Sequence, residues 1–152
     1  MQLVIYMSKK YNKLPNIEIL DEKDKRLKQK SENVTFPLPK EDLQRIEDML
    51  TYLEMSQIDE YNQKYNLRAG WGLAYIQLGI PKRLVYIKNT DLDKIEDEEW
   101  NEATILVNPV IKKREGLTQY WEACASCLDN MGLVLRPYRV LINYLDLEGN
   151  KL

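Results

Sequence analysis

The sequence predicts an α+β fold from three features. One long segment places apolar residues three and four apart, a later series of short runs is rich in branched and aromatic residues, and the two patterns follow one another along the chain. With 152 residues and 44% hydrophobic content there is material for one core, so residues 1–152 read as a single domain with residues 1–33 as an N-terminal arm. The strands are expected to pair mostly antiparallel, with one long helix ahead of them.

The elements follow in order. Residues 8–33 are rich in Lys, Asp, Glu and Asn with apolar anchors at Ile17, Ile19, Leu20 and Leu27, which reads as an arm lying over a body or as a solvated loop. Met1 and Met7 are both candidate starts. Pro37-Leu38-Pro39 introduces the helix: Pro39 suits a first helical position, Glu41 and Asp42 complement the dipole, and Leu43, Ile46, Leu50 and Leu53 form the apolar stripe. This helix is expected to run to about Asn66, where Asn66-Leu67-Arg68-Ala69-Gly70 gives a polar exit ending in glycine. Leu84 to Ile87, Ile105 to Val107, Leu117 to Trp121 and Val140 to Leu147 then read as strands, and Asn89 to Asn101 as a charged surface loop. In the last run Val140, Ile142 and Tyr144 alternate with Arg139, Leu141, Asn143 and Leu145, so both faces are partly apolar. Glu148-Gly149-Asn150 is a turn signal, after which a partner strand should begin.

Composition narrows the function. A formal charge of −2, with 22 basic residues dispersed among 24 acidic ones, gives no basic tract to follow a phosphate backbone, so nucleic acid is not expected as a partner. No apolar stretch approaches the roughly 20 residues that span a bilayer, which points to a cytosolic protein without a membrane partner. Histidine is absent. Imidazole is the commonest general base and metal ligand, so Ser-His-Asp and Cys-His mechanisms, and zinc sites built on two or three histidines, are excluded for these residues alone.

Two segments carry chemical interest. Gly70-Trp71-Gly72-Leu73-Ala74-Tyr75-Ile76-Gln77-Leu78-Gly79 follows a helix, lacks the third glycine of a dinucleotide site and lacks the Lys-Ser/Thr of a P-loop. Its glycines permit positive φ or close backbone approach, and Gln77 either serves the core or faces a ligand. Glu122-Ala123-Cys124-Ala125-Ser126-Cys127 offers a redox pair, half of a zinc site, or two small buried thiols. Leu128 to Gly132 reads as a turn and not as the helix start that would activate a thiol.

Together these segments resemble peptide deformylases. Gly70 to Gly79 is similar to the family's first motif, Gly-x-Gly-Leu-Ala-Ala-x-Gln-x-Gly, and Glu122 to Ser126 to its second, Glu-Gly-Cys-Leu-Ser. Ile105 to Ile111 resembles the strand containing Asn-Pro, and Val34 to Leu38 with the helix behind it resembles the longer, Gram-positive and mycoplasma-like members. Arg136 and Asp146 to Gly149 also match, so the likeness runs from about Ile17 onward.

The resemblance implies Cys124 as a metal ligand, with Fe2+ usual and Zn2+ or Ni2+ substituting. It implies the Gln77 amide and the Ala125 N–H as donors to the formyl oxygen, Gly70, Gly72, Leu73 and Arg136 as substrate-binding residues, and Glu122 as an orienting group paired with Arg136. The implied partner is a formyl-methionyl peptide or nascent chain, met at the ribosome. The family's third motif, His-Glu-x-x-His on a helix, has no counterpart among these 152 residues. The chain by itself is therefore expected to be inactive, either as a truncated or split enzyme or as a non-catalytic binder of peptide N-termini. A trough lined by Val140, Ile142 and Tyr144 is expected to take a C-terminal fragment or to drive self-association. There are also departures from the family pattern. Tyr75 and Ile76 replace a small residue and commonly proline, with Tyr75 expected in volume meant for substrate. Ala123 and Ala125 replace Gly and Leu, which is costly at Ala123 if that position needs positive φ.

Overall fold

A computed structural model describes residues 11–88 and 103–152. The expected starts at Met1 and Met7 and the whole of the charged segment Asn89 to Asn101 lie outside them. The architecture is α+β. Helices α1 (Lys40–Ser56) and α2 (Asp59–Tyr65) precede strands β1 (Gly72–Ala74), β2 (Leu84–Lys88), β3 (Ala103–Glu115), β4 (Thr118–Cys124), β5 (Cys127–Arg136) and β6 (Arg139–Leu145). One sheet has the order β1-β2-β3-β6 and the other is the β4-β5 hairpin, all pairs antiparallel.

The helical segment differs from the sequence expectation in being two helices. Pro39 is the N-cap, one residue outside the first turn. The chain leaves the helix after Ser56, whose hydroxyl donates to the Leu53 carbonyl (2.8 Å), and Ile58 is extended. The break lets Tyr61 join the core, and the Asn62 amide bridges the carbonyls of Ser56 (3.0 Å) and Leu67 (3.1 Å) across it. Asn66 caps α2 in the left-handed region (φ 50), doing the work assigned to the later glycine. The buried stripe of α1 includes Ile46, Met49, Tyr52, Leu53 and Met55, whereas Leu43 is exposed. Asp42 takes the inward position instead and is ion-paired with Lys82 (2.5 Å).

This stripe packs on Leu73, Tyr75, Leu84, Tyr86 and Val107, so the core lies between α1 and the four-stranded sheet. In β3, Asn108 has φ 51 at a register shift, and its side-chain amide exchanges two hydrogen bonds with the Val34 backbone (2.7 and 2.9 Å). The arm is thereby pinned like an added strand, and Glu32 bridges to Lys82 in parallel beside it. Within this segment Ile19 and Leu20 are buried against the body.

The expected turn at Leu128 to Gly132 is part of β5, because the hairpin closes over Ala125-Ser126 alone and pairing resumes with Cys127 opposite Cys124. After β6, Asp146 accepts from the Glu148 and Asn150 N–H groups (3.0 and 2.8 Å), and Leu152 exchanges two backbone bonds with Tyr144 (2.9 and 3.1 Å). Tyr120, Trp121, Met131, Leu133 and Leu135 of the hairpin are exposed, as is Val140 of the expected trough, while Ile142 and Tyr144 are half-buried. No described helix is long and apolar enough to cross a membrane.

Candidate functional site

Gln77 occupies a 3-10 turn, Tyr75–Leu78, which β1 leads into and Gly79 ends with φ 77. Its Oε1 accepts from the Ala74 N–H (2.9 Å). Because only the oxygen can accept that bond, the amide nitrogen must point the other way. There Nε2 meets Cys124 Sγ (3.5 Å) and Ser126 Oγ (3.3 Å). The 3.3 Å contact to the Ser126 oxygen exceeds the usual N–H···O distance of about 2.9–3.0 Å, while the 3.5 Å contact to sulfur is an ordinary one for that larger atom. The amide is thus fixed in direction, with its donor end turned toward the β4-β5 turn.

The second segment is the β4-β5 turn. Cys124 is exposed at the end of β4, Ala125 packs against the core and Ser126 is buried. The Ala125 carbonyl accepts from Arg68 Nη1 (2.8 Å) and the Ser126 carbonyl from the Glu22 N–H (2.8 Å). On the same hairpin Arg136 grips Glu122 through Nε and Nη2 (2.9 and 2.8 Å), a two-point bond that holds the Glu122 carboxyl below its ordinary range. The Glu22 carboxylate beside Cys127, together with burial, pushes its thiol up to about 11. A redox pair depends on a lowered thiol value at a helix start, so the geometry disfavours that reading.

Gly72 and Leu73 lie on β1, the outer strand of the sheet. A Cβ on Gly72 would fall 2.8 Å from the Tyr86 carbonyl oxygen, so glycine is needed there for strand approach rather than for positive φ. The Leu73 side chain is buried in the core. Gly70 sits in the loop before β1 and its carbonyl accepts from Gln57 Nε2 (3.0 Å).

Two departures from the motifs resolve structurally. Tyr75 does not stand in a cleft: its ring is fully buried and its hydroxyl donates to the Asp42 carbonyl (2.9 Å) on α1. Among the described residues positive φ outside glycine occurs at Asn66 and Asn108, so Ala123 carries no left-handed strain. Sequence reasoning overlooked Arg68, read as part of a polar exit, and the arm residues Leu20 and Glu22. Leu20 donates its N–H to the Gln77 carbonyl (2.8 Å). The final Ser126 of the second motif was the available signal for a partner to the Gln77 amide.

A family model for polypeptide deformylase matches residues 17–152. The chain belongs to the polypeptide deformylase family. It is 36% identical to the peptide deformylase of Levilactobacillus brevis over 138 residues, covering 88% of this chain and 73% of that one. It is 37% identical to that of Malacoplasma penetrans over 124 residues, covering 79% and 63%. The chain thus spans between three fifths and three quarters of these relatives' lengths. Among solved structures, a peptide deformylase from Synechococcus elongatus in complex with actinonin aligns with TM-score 0.71 and 30% identity, covering 95% of this chain and 68% of that one. A probable peptide deformylase from Synechococcus phage S-SSM7 aligns with TM-score 0.68 and 29% identity, covering 90% and 80%.

Polypeptide deformylases are metal-dependent hydrolases. Among the described residues, no three or more Cys, Asp or Glu side chains lie together as a ligand set, and the sequence holds no histidine. Cys124 offers one exposed sulfur, which does not make a complete metal site.

Proposed function

We propose that these residues form the substrate side of a peptide deformylase, binding the formylated N-terminus of a nascent chain in the cytosol. The observation that carries this reading is the convergence of Gln77 Nε2 with Cys124 and Ser126 of the β4-β5 turn, 47 and 49 residues away along the chain. In this reading Gln77 and the Ala125 N–H hydrogen-bond the formyl oxygen, and such donors strengthen as charge develops there. The outer edge of β1 at Gly72 and Leu73 pairs with the peptide main chain, Gly70 shapes the approach, and Arg136 holds Glu122 in position beside them. Cys124 would supply a sulfur ligand for iron, zinc or nickel, one donor of a set that these residues do not complete.

With one thiolate and no imidazole, these residues cannot hold an activated water by themselves. Hydrolysis therefore takes a histidine-bearing segment, in the same polypeptide or another, seated against the trough at Val140, Ile142 and Tyr144. Calorimetry should show formyl-Met-Ala binding more tightly than Met-Ala, and equal or absent heats would reject the substrate reading. Adding a His-Glu-x-x-His peptide should then restore formate release. Peptide binding that persists without any rescue would leave the second reading, a non-catalytic binder of N-termini.

A further inference from the structure

Arg68 lies in the loop between α2 and β1, outside both motifs, yet its side chain reaches two segments distant in sequence. Its Nη1 donates to the Ala125 carbonyl (2.8 Å) and to the Ile19 carbonyl (3.3 Å). Its own N–H donates to the Tyr52 hydroxyl (2.8 Å), which anchors the loop to the buried face of α1. The arm beside Ile19 continues the connection, since the Leu20 N–H bonds the Gln77 carbonyl and the Glu22 N–H bonds the Ser126 carbonyl. Both carbonyls of the two-residue turn are thus held from outside the hairpin, one by a charged donor and one by the arm. Fixing both holds the two peptide planes that follow the Ala125 Cα, and through the Ala125 φ and ψ this restrains where the Ala125 N–H points relative to the Gln77 amide.

We propose that Arg68 is a positioning residue that locks the arm and the hairpin turn together, keeping the two formyl-oxygen donors aimed at one point. The proposal rests on the substrate reading above, but the lock can be tested without it. A guanidinium donates in a fixed planar geometry, whereas the ammonium of R68K is a compact charge that reaches one of the two carbonyls more readily than both.

The experiment is amide hydrogen exchange on the 152-residue chain, with the Gln77 side-chain amide followed by 1H–15N correlation. In R68A the amides of Leu20 and Glu22 should exchange about tenfold faster, as loss of a charge-assisted bond implies, while α1 amides stay at parent rates. The Gln77 side-chain resonances should shift, and R68K should fall between parent and R68A. Unchanged exchange, or a uniform rise that includes α1, overturns the lock. Should R68A not fold, R68K carries the test through the same local amides. Calorimetry with formyl-Met-Ala supplies the second arm: affinity about tenfold weaker in R68A and partly recovered in R68K supports positioning, and equal affinity overturns it. If the parent chain itself does not bind the peptide, the substrate reading and with it the positioning role are overturned, and the exchange data still decide whether the lock exists.

Discussion

Replacing Tyr75 separates a core role from a cleft role. The side chain has no exposed surface and its hydroxyl donates to the Asp42 carbonyl at 2.9 Å. Y75F deletes that bond alone and should cost about 1 kcal/mol, the usual net worth of a buried hydrogen bond. Y75A also empties the ring's volume between α1 and the sheet, and aromatic-to-alanine changes in cores cost about 3–5 kcal/mol. With a urea slope of roughly 2 kcal/mol/M for a chain of this size, the midpoint should fall by about 0.5 M in Y75F and about 2 M in Y75A. The assay is a urea titration followed by far-ultraviolet circular dichroism, with formyl-Met-Ala affinity measured on the folded variants. A Y75A protein that keeps the parent midpoint and binds peptide more tightly would refute the core assignment and return Tyr75 to the cleft.

Burial is the leading cause that raises the phenols of Tyr11, Tyr75 and Tyr86 above the ordinary value near 10.0. The folded state favours the neutral phenol, so the unfolded chain loses protons first; the stability is complete below that value and lost as pH rises above it. Urea midpoints should therefore decline above about pH 10, and the decline should be shallower in Y75F. Iodoacetamide labelling at pH 8, read by mass spectrometry, should modify the exposed Cys124 before Cys127, and E22Q should raise the Cys127 rate by about tenfold as its thiol regains ordinary acidity. An unchanged Cys127 rate would remove Glu22 as the cause. G72A forces a Cβ against the Tyr86 carbonyl and should cost about 1–3 kcal/mol in thermal melts. In G70A the new Cβ meets the Gly72 carbonyl at an ordinary 3.6 Å, so that variant should stay within about 0.5 kcal/mol of the parent.

Periodicity made α1 legible because one helix face must meet the sheet, and Ile46, Leu50 and Leu53 mark that face. It misplaced Leu43, since a buried Asp42 with Lys82 beside it reads locally as a solvated charge. The break after Ser56 was hidden for a related reason: Asn62 supplies side-chain bonds that replace lost helical ones, and periodicity does not register such partners. Strand β5 was obscured by Asp129, Asn130 and Gly132, which resemble a turn in isolation but face solvent on a hairpin whose own turn needs two residues. At the site, the types and order of Gln77, Glu122, Cys124 and Arg136 were readable as motifs. Their support was not, because Arg68, Leu20 and Glu22 act through guanidinium-to-carbonyl and main-chain contacts that leave no local signature.

The bond from Glu22 to Ser126 joins residues separated by most of the chain. Closing so long a loop carries an entropic cost that nearer contacts do not, and non-local pairings slow the search for the native topology. On a ribosome the arm emerges early and has no turn to dock against until the hairpin has followed it out. Bringing the arm, Gln77 and the hairpin turn together is consequently a late event of maturation, and a polypeptide caught midway has its helices and first strands without the Ser126 carbonyl against which Glu22 docks.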